Sequence, residues 1–192
     1  MNIFKKIIYK IQFLNKRAQL KKSWEKYGFD VWHVENNIYN RPYKFQLANE
    51  LSNLGLDSIV EVGCGFGEIL VHTNVKTKIG YDIDPKVIQA ASEMYDEVTY
   101  KVGGLNDITE NSFECLLLFN WIHNISEPDL EDSIQRHQGK MKYLVVDQIK
   151  QGTPGYQFYH TFNFLLENKF SLLKTISVEK DVRNILIYKS NL

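Results

Sequence analysis

Short runs rich in valine, isoleucine and leucine alternate with segments of helical period through most of this chain. That alternation restricts the fold more than any other feature. Strands are expected at 58–64, 78–82, 98–102, 115–120, 143–147, 172–178 and 184–189. Helical segments are expected between them at 67–72, 85–95, 128–138 and 156–168. Strand and helix by turns imply a parallel sheet covered on both faces. The last two strands depart from the pattern, because residues 179–183 are too few for a helical crossover; a hairpin must join them, and the sheet ends in one antiparallel strand. The expected class is α/β: a doubly wound, seven-stranded, mostly parallel sheet with one antiparallel strand. A length of 192 residues suits a single globular unit with a real core, and no repeat, low-complexity tract or dividing linker interrupts it.

Two helices are expected ahead of the first strand. In the first, Phe4, Ile7, Ile8, Ile11 and Leu14 form a helical stripe with lysines on the opposite face. Lys5, Lys6, Lys10, Lys16, Arg17, Lys21, Lys22 and Lys26 crowd this region against Glu25 alone. Such a helix could lie on an anionic membrane surface or pack against a partner, through residues 1–22, but capping the domain is the plainer expectation. Lysines interrupt the apolar residues too often for a signal peptide or a spanning helix, so a cytoplasmic protein is expected. The second helix, 41–54, has Pro42 in its first turn and stops at Gly55.

Formal net charge is zero, so the chain as a whole offers no field to gather nucleic acid by counterion release. Cys64 and Cys115 stand alone, without a C-x-x-C pair or a Cys/His cluster. They read as reduced, buried structural residues, and no metal site is expected.

The turn after the first strand, "EVGCGFG", holds Gly63, Gly65 and Gly67 on alternate positions. In a doubly wound sheet this turn is a usual ligand crevice, and glycines let backbone N–H groups lie against a flat or charged molecule. One glycine would suffice for a merely tight turn. A dinucleotide would need G-x-G-x-x-G, which is not the spacing here. Glu61, two residues before the first glycine, would put a carboxylate where a pyrophosphate should sit, and so favours a ligand carrying positive charge. The second strand ends in "GYDIDP". Asp82 lies at about the separation from the glycines at which a carboxylate grips both hydroxyls of a ribose. Asp84, just before Pro85, reads as a helix N-cap.

Taken in order, "EVGCGFG", "GYDIDP" and "FECLLLFNWIHNISEPDL" resemble three motifs of the class I S-adenosylmethionine-dependent methyltransferases, and the closing hairpin resembles that family's added antiparallel strand. The resemblance implies a Rossmann-like methyltransferase fold, with S-adenosyl-L-methionine as cofactor. The chain is expected to comprise residues 1–40, a basic amphipathic helix and lid region, and 41–192, the S-adenosylmethionine-binding domain, in a single globular unit, with the resemblance covering roughly residues 47–190. The resemblance places Glu61, Gly63, Gly65 and Gly67 around the methionine moiety, Asp82 on the ribose, Ile83 beside the adenine and Asn120 near the methionine. The family commonly has an acid after the third strand to accept from the adenine amino group. Here Gly104 stands at that place, so Asn106 or Asp107 is expected to supply the polar contact and the backbone at Leu105 to serve the ring.

A sulfonium methyl is already activated, so such a protein supplies position and dryness, and a base only when the acceptor is a poorly ionised hydroxyl. His123, beyond the fourth strand, is the expected base, with Asp147 at the end of the fifth strand to orient it. Each has a purely structural alternative. Tyr156, Tyr159 and His160 would share one face of a helix and form a substrate wall, unless they simply pack. Trp32 and His33 could form a lid, unless Trp32 anchors the basic helix. The absence of an (N/D/S)-P-P-(Y/F) sequence in "NWIH" favours transfer to oxygen over nitrogen. A small-molecule acceptor such as a sugar or other metabolite is the leading expectation. The alternatives are an RNA methyltransferase, and a non-catalytic S-adenosylmethionine-binding protein that docks through its first helix.

Overall fold

The computed structural model describes residues 3–178 and 182–192. Its seven-stranded sheet has the order β3-β2-β1-β4-β5-β7-β6. The strands are β1 (Ser58–Val62), β2 (Thr77–Asp82), β3 (Thr99–Val102), β4 (Cys115–Leu118), β5 (Tyr143–Ile149), β6 (Phe170–Ser177) and β7 (Arg183–Ser190). β1 to β5 are parallel, while β7 runs antiparallel to both β5 and β6. The antiparallel strand is therefore last in the chain but interior in the sheet, inserted between β5 and β6. The connector at 179–181 lies outside the described residues.

Helices α1 (Ile3–Tyr27), α2 (Trp32–Glu35), α3 (Tyr43–Asn53), α4 (Glu68–Val71), α5 (Pro85–Met94), α6 (Glu127–Gln135) and α7 (Asn163–Glu167) flank the sheet. Period-two alternation sorts each strand onto two cores. Val60, Val62, Leu116, Leu118, Leu144 and Val146 pack with α6 and α7, and Ile59, Cys115, Leu117 and Val145 pack with α3 and α4. Local chemistry sets the helix starts. The Asp84 carboxylate accepts from the Lys86 N–H at 2.9 Å with Pro85 at the first helical position, confirming the expected cap, and the Ser126 hydroxyl caps α6. Both cysteines are free and buried, as expected.

Two expectations are corrected. The helix expected over 156–168 shrinks to α7. Turns through Gly152 and Gly155, both at positive φ, lead into an irregular, non-helical stretch over 156–161, and Phe162 takes a left-handed conformation just before α7. His160 and Phe162 are buried ahead of α7, held by tertiary contacts rather than by a helical face. In α1, the stripe expected to cap the domain is exposed. Ile7, Ile8, Ile11 and Leu14 face solvent, and the opposite face, with Lys16 and Leu20 buried, packs on the body.

Candidate functional site

Beyond the carboxyl ends of β1, β2 and β4 lies a cavity of about 740 Å³. Its walls bring together Gly63 of the glycine turn, Asp82 and Ile83 after β2, Gly103 and Gly104 after β3, Asn120 and Trp121 after β4, and Trp32, His33 and Arg41 from the amino-terminal segment. Asn124 and Tyr156 complete one end. A smaller recess of about 40 Å³ lies deeper, lined by Glu61, Gly63, Gly65, Glu68, Lys44, His33 and Asn120.

All three glycines of the turn have positive φ, at 70°, 55° and 63°. A Cβ on Gly63 would fall 2.2 Å from Trp121 Cδ1, and one on Gly65 would fall 3.0 Å from His33 Nδ1. The bare backbone thus admits side chains from the loop after β4 and from α2 as well as a ligand. Trp121 is held there by donating from its indole to the Val62 carbonyl at 2.5 Å. Gly67 lines neither space, because the Tyr100 hydroxyl covers it while donating to the Phe66 carbonyl. Gly63→Ala is expected to cost about 2–4 kcal/mol, combining left-handed strain with overpacking. In a Trp121→Ala background only the roughly 1–2 kcal/mol of backbone strain should remain. Urea unfolding of the four chains checks this.

Glu61 sits on the apolar face of β1, level with Gly80 of β2 and Leu117 of β4, and is 4% exposed. Burial pushes its carboxyl up to about 8, with Glu68 and Asp82 adding to the rise and Lys44 opposing it. The nearby cations are already engaged: Lys44 lies 2.9 Å from Glu68 and donates to the Asn36 carbonyl at 3.0 Å, and Lys16 lies 3.8 Å from Glu68. Glu61 Oε2 is buried with no hydrogen-bond partner. A buried acid without a donor is costly, and a cationic ligand group in the recess would satisfy it.

Asp82 accepts from the Gly65 N–H at 2.9 Å and from the Asp84 N–H at 3.0 Å, one on each oxygen. Those bonds fix the carboxylate and leave each oxygen one further lone-pair direction. Ile83 is 78% exposed on the cavity wall, and its Cγ2 lies 3.8 Å from where a Gly104 Cβ would be, so a flat ring has an apolar edge there.

Other expected positions lie elsewhere. Leu105 is buried in the core, and its carbonyl accepts from His137 at 2.8 Å. Asn106 is exposed outside the cavity, and Asp107 is occupied accepting from the Gly104 N–H at 2.7 Å. The polar adenine contact expected of Asn106 or Asp107 therefore has no side chain on the cavity wall. Tyr159 closes its own loop by donating to the Thr153 carbonyl.

His123 and Asp147 form a pair, but behind the wall rather than on it. Both are fully buried, with His123 Nε2 3.3 Å from Asp147 Oδ1 and Nδ1 3.2 Å from the Phe158 carbonyl. His160 stacks on His123 and binds the Ile122 carbonyl, so it too supports the loop from within. Asp147 accepts from the Asn120 N–H at 3.0 Å and pairs with Arg183 at 3.1 Å. Arg183 also donates to the Asn120 carboxamide oxygen and to the Tyr156 hydroxyl, and lies over the Tyr43 ring. This network holds Asn120 at φ 67° and ψ −59°, a conformation that L side chains rarely adopt. Arg183, Arg41 and Lys44 carry no motif that would mark them in the sequence, and Trp121, inside the NWIH stretch, has no role assigned by it.

Residues 59–142 match the family model described as a methyltransferase domain. That match covers less than half of the chain and makes this stretch similar to methyltransferase domains. The fold agrees: magnesium protoporphyrin IX methyltransferase from Synechocystis PCC 6803, solved with bound SAM, superposes with a TM-score of 0.67 at 15% identity, over 92% of this chain and 97% of that one. A TehB-like SAM-dependent methyltransferase from Corynebacterium glutamicum gives 0.58 at 16% identity, over 91% and 96%. Mitomycin 7-O-methyltransferase gives 0.62 at 12%, over 95% of this chain and 68% of that one. No curated protein matches the sequence. The Rossmann-like fold of these methyltransferases is the one expected from the sequence.

Proposed function

We propose that the protein transfers a methyl group from S-adenosylmethionine to an oxygen of a small molecule, such as a sugar or other metabolite. The observation that carries this reading is the unpartnered Glu61 carboxyl at one end of the site, with Asp82 and Ile83 at the other. An α-ammonium, a ribose and an adenine ring present complementary chemistry in that order. Glu61 would take the ammonium beside Gly63 and Gly65, Asp82 the ribose hydroxyls, and Ile83 with the Gly103–Gly104 backbone the adenine. Asn120, strained and facing the same space, would position the methionine end.

The bound cofactor supplies an activated methyl, and the chain supplies alignment and exclusion of water. The acceptor would enter past Trp32, Arg41, Asn124 and Tyr156. Three acids, Asp30, Asp82 and Asp84, line this cavity against Arg41, a balance that opposes a polyphosphate backbone and so disfavours RNA as the acceptor. If the acceptor hydroxyl needs a base, His33 is the imidazole on the cavity wall. Burial holds it below the usual histidine range, hence neutral and able to accept a proton near pH 7. His123 and Asp147 become positioning residues acting through Asn120. Accordingly, His33→Gln is expected to lower kcat by about 10²-fold or more with cofactor affinity little changed. His123→Asn should instead weaken cofactor binding and stability together. Steady-state kinetics paired with calorimetry separates the two.

Thermal shift with S-adenosylhomocysteine, NAD and FAD tests the reading as a whole. A ligand at one hundred times its Kd adds roughly 2.7 kcal/mol. The homocysteine product should give the largest shift; a larger one with NAD or FAD would overturn the assignment.

A further inference from the structure

The first turns of α1 present two opposed faces. On one, the Tyr9 hydroxyl donates to the Tyr39 carbonyl at 2.7 Å, Lys16 reaches Glu68, and Leu20 is fully buried in a cluster with Phe29, Val34 and Phe66. On the other, Ile7, Ile8, Ile11 and Leu14 are 52%, 40%, 53% and 50% exposed. At 3.6 residues per turn these four occupy an arc of about 120° pointing away from the body. Lys10, Arg17 and Lys21 run along one edge of that arc, all exposed. The chain has no acidic residue before Glu25, which lies 3.9 Å from Lys21.

We propose that this face docks on the surface of an anionic lipid bilayer. Ile7, Ile8, Ile11 and Leu14 would enter the boundary between headgroups and acyl chains, with Lys10, Arg17 and Lys21 against the headgroups. An apolar strip bordered by cations of one sign has the composition of a helix lying in the interface plane. Long lysine and arginine stems lie along such a boundary while their charges stay in water. A second copy of the chain is a poorer occupant, because pairing the two strips would bring like-charged edges together. None of the described helices is long and apolar enough to cross a membrane, so the contact is peripheral.

Co-sedimentation of the full chain with vesicles of phosphatidylcholine, with and without phosphatidylglycerol, tests the proposal. Binding to the anionic vesicles should be at least about tenfold tighter, since each cation near such a surface contributes on the order of fivefold, and it should weaken with salt. The double substitution Ile7→Ser, Ile11→Ser alters half-exposed positions and should leave the melting temperature unchanged while weakening vesicle binding by about a hundredfold. Absent or equal binding to the two vesicle types would overturn the proposal. So would binding that survives the double substitution, or light scattering that shows a dimer dissolved by it.

Discussion

A Glu61→Met variant is expected to melt at a higher temperature than the natural chain while binding S-adenosylhomocysteine about thirtyfold more weakly or worse. Methionine keeps the length of the side chain and removes a buried carboxyl that has no donor. Relieving such a group is worth about 1–3 kcal/mol, and in a chain of this size each kcal/mol raises Tm by roughly 2–4 °C. The affinity loss follows because removing one partner of a buried charge pair costs about 2 kcal/mol at least. The stability gain should depend on pH with a definite sign. In the folded chain the Glu61 carboxyl is raised from its ordinary value to about 8, so the protonated side chain's contribution is fully present below about 4.5 and is lost as pH rises through 8. The difference in Tm between variant and natural chain should therefore widen from pH 6 to pH 8. Scanning calorimetry without ligand reads the stability, and titration calorimetry reads the affinity. Equal Tm and equal affinity would mean that the carboxyl finds another partner.

Arg183→Met is expected to destabilise the protein by about 3–5 kcal/mol, the usual result of leaving one member of a buried ion pair alone. Asp147 would remain fully buried beside His123 with its cation gone, and Asn120 would lose a donor to its carboxamide. Replacing both members should be far milder. Asp147→Asn keeps an acceptor for the Asn120 N–H, so the double variant Asp147→Asn, Arg183→Met should recover most of the loss. Denaturant unfolding of the four chains completes the cycle. A single variant within about 0.5 kcal/mol of the natural chain, the range of an ordinary surface change, would remove the network from the account.

The sheet was legible because buried strands and amphipathic helices have different periods, and the five parallel strands follow directly from them. Where the periods misled, tertiary contacts decided. Tyr156, Tyr159 and His160 have helical spacing, yet no helix forms there: the His123 carbonyl accepts from the Phe158 N–H, and Phe162 reaches the core. The stripe of α1 has a core-like period and an exposed position. Period alone cannot say what covers a face.

At the site, Glu61 and Asp82 were readable because strand ends and glycine spacing fix where their carboxylates fall. His123 has the chemistry of a base, but only the folded chain shows it behind the wall while His33, ninety residues earlier, faces the cavity. Arg183 stands at the start of the last strand and acts on Asn120, sixty-three positions away. Such long-range pairings leave no trace in local sequence.

The central claim is that Glu61 exchanges a proton for the cofactor's ammonium. Titration calorimetry of S-adenosylhomocysteine at pH 7, in buffers of differing ionisation enthalpy, measures that exchange. The account predicts release of about one proton per molecule bound, abolished in Glu61→Gln. Binding with no proton released, or the same release from the Gln variant, would contradict it.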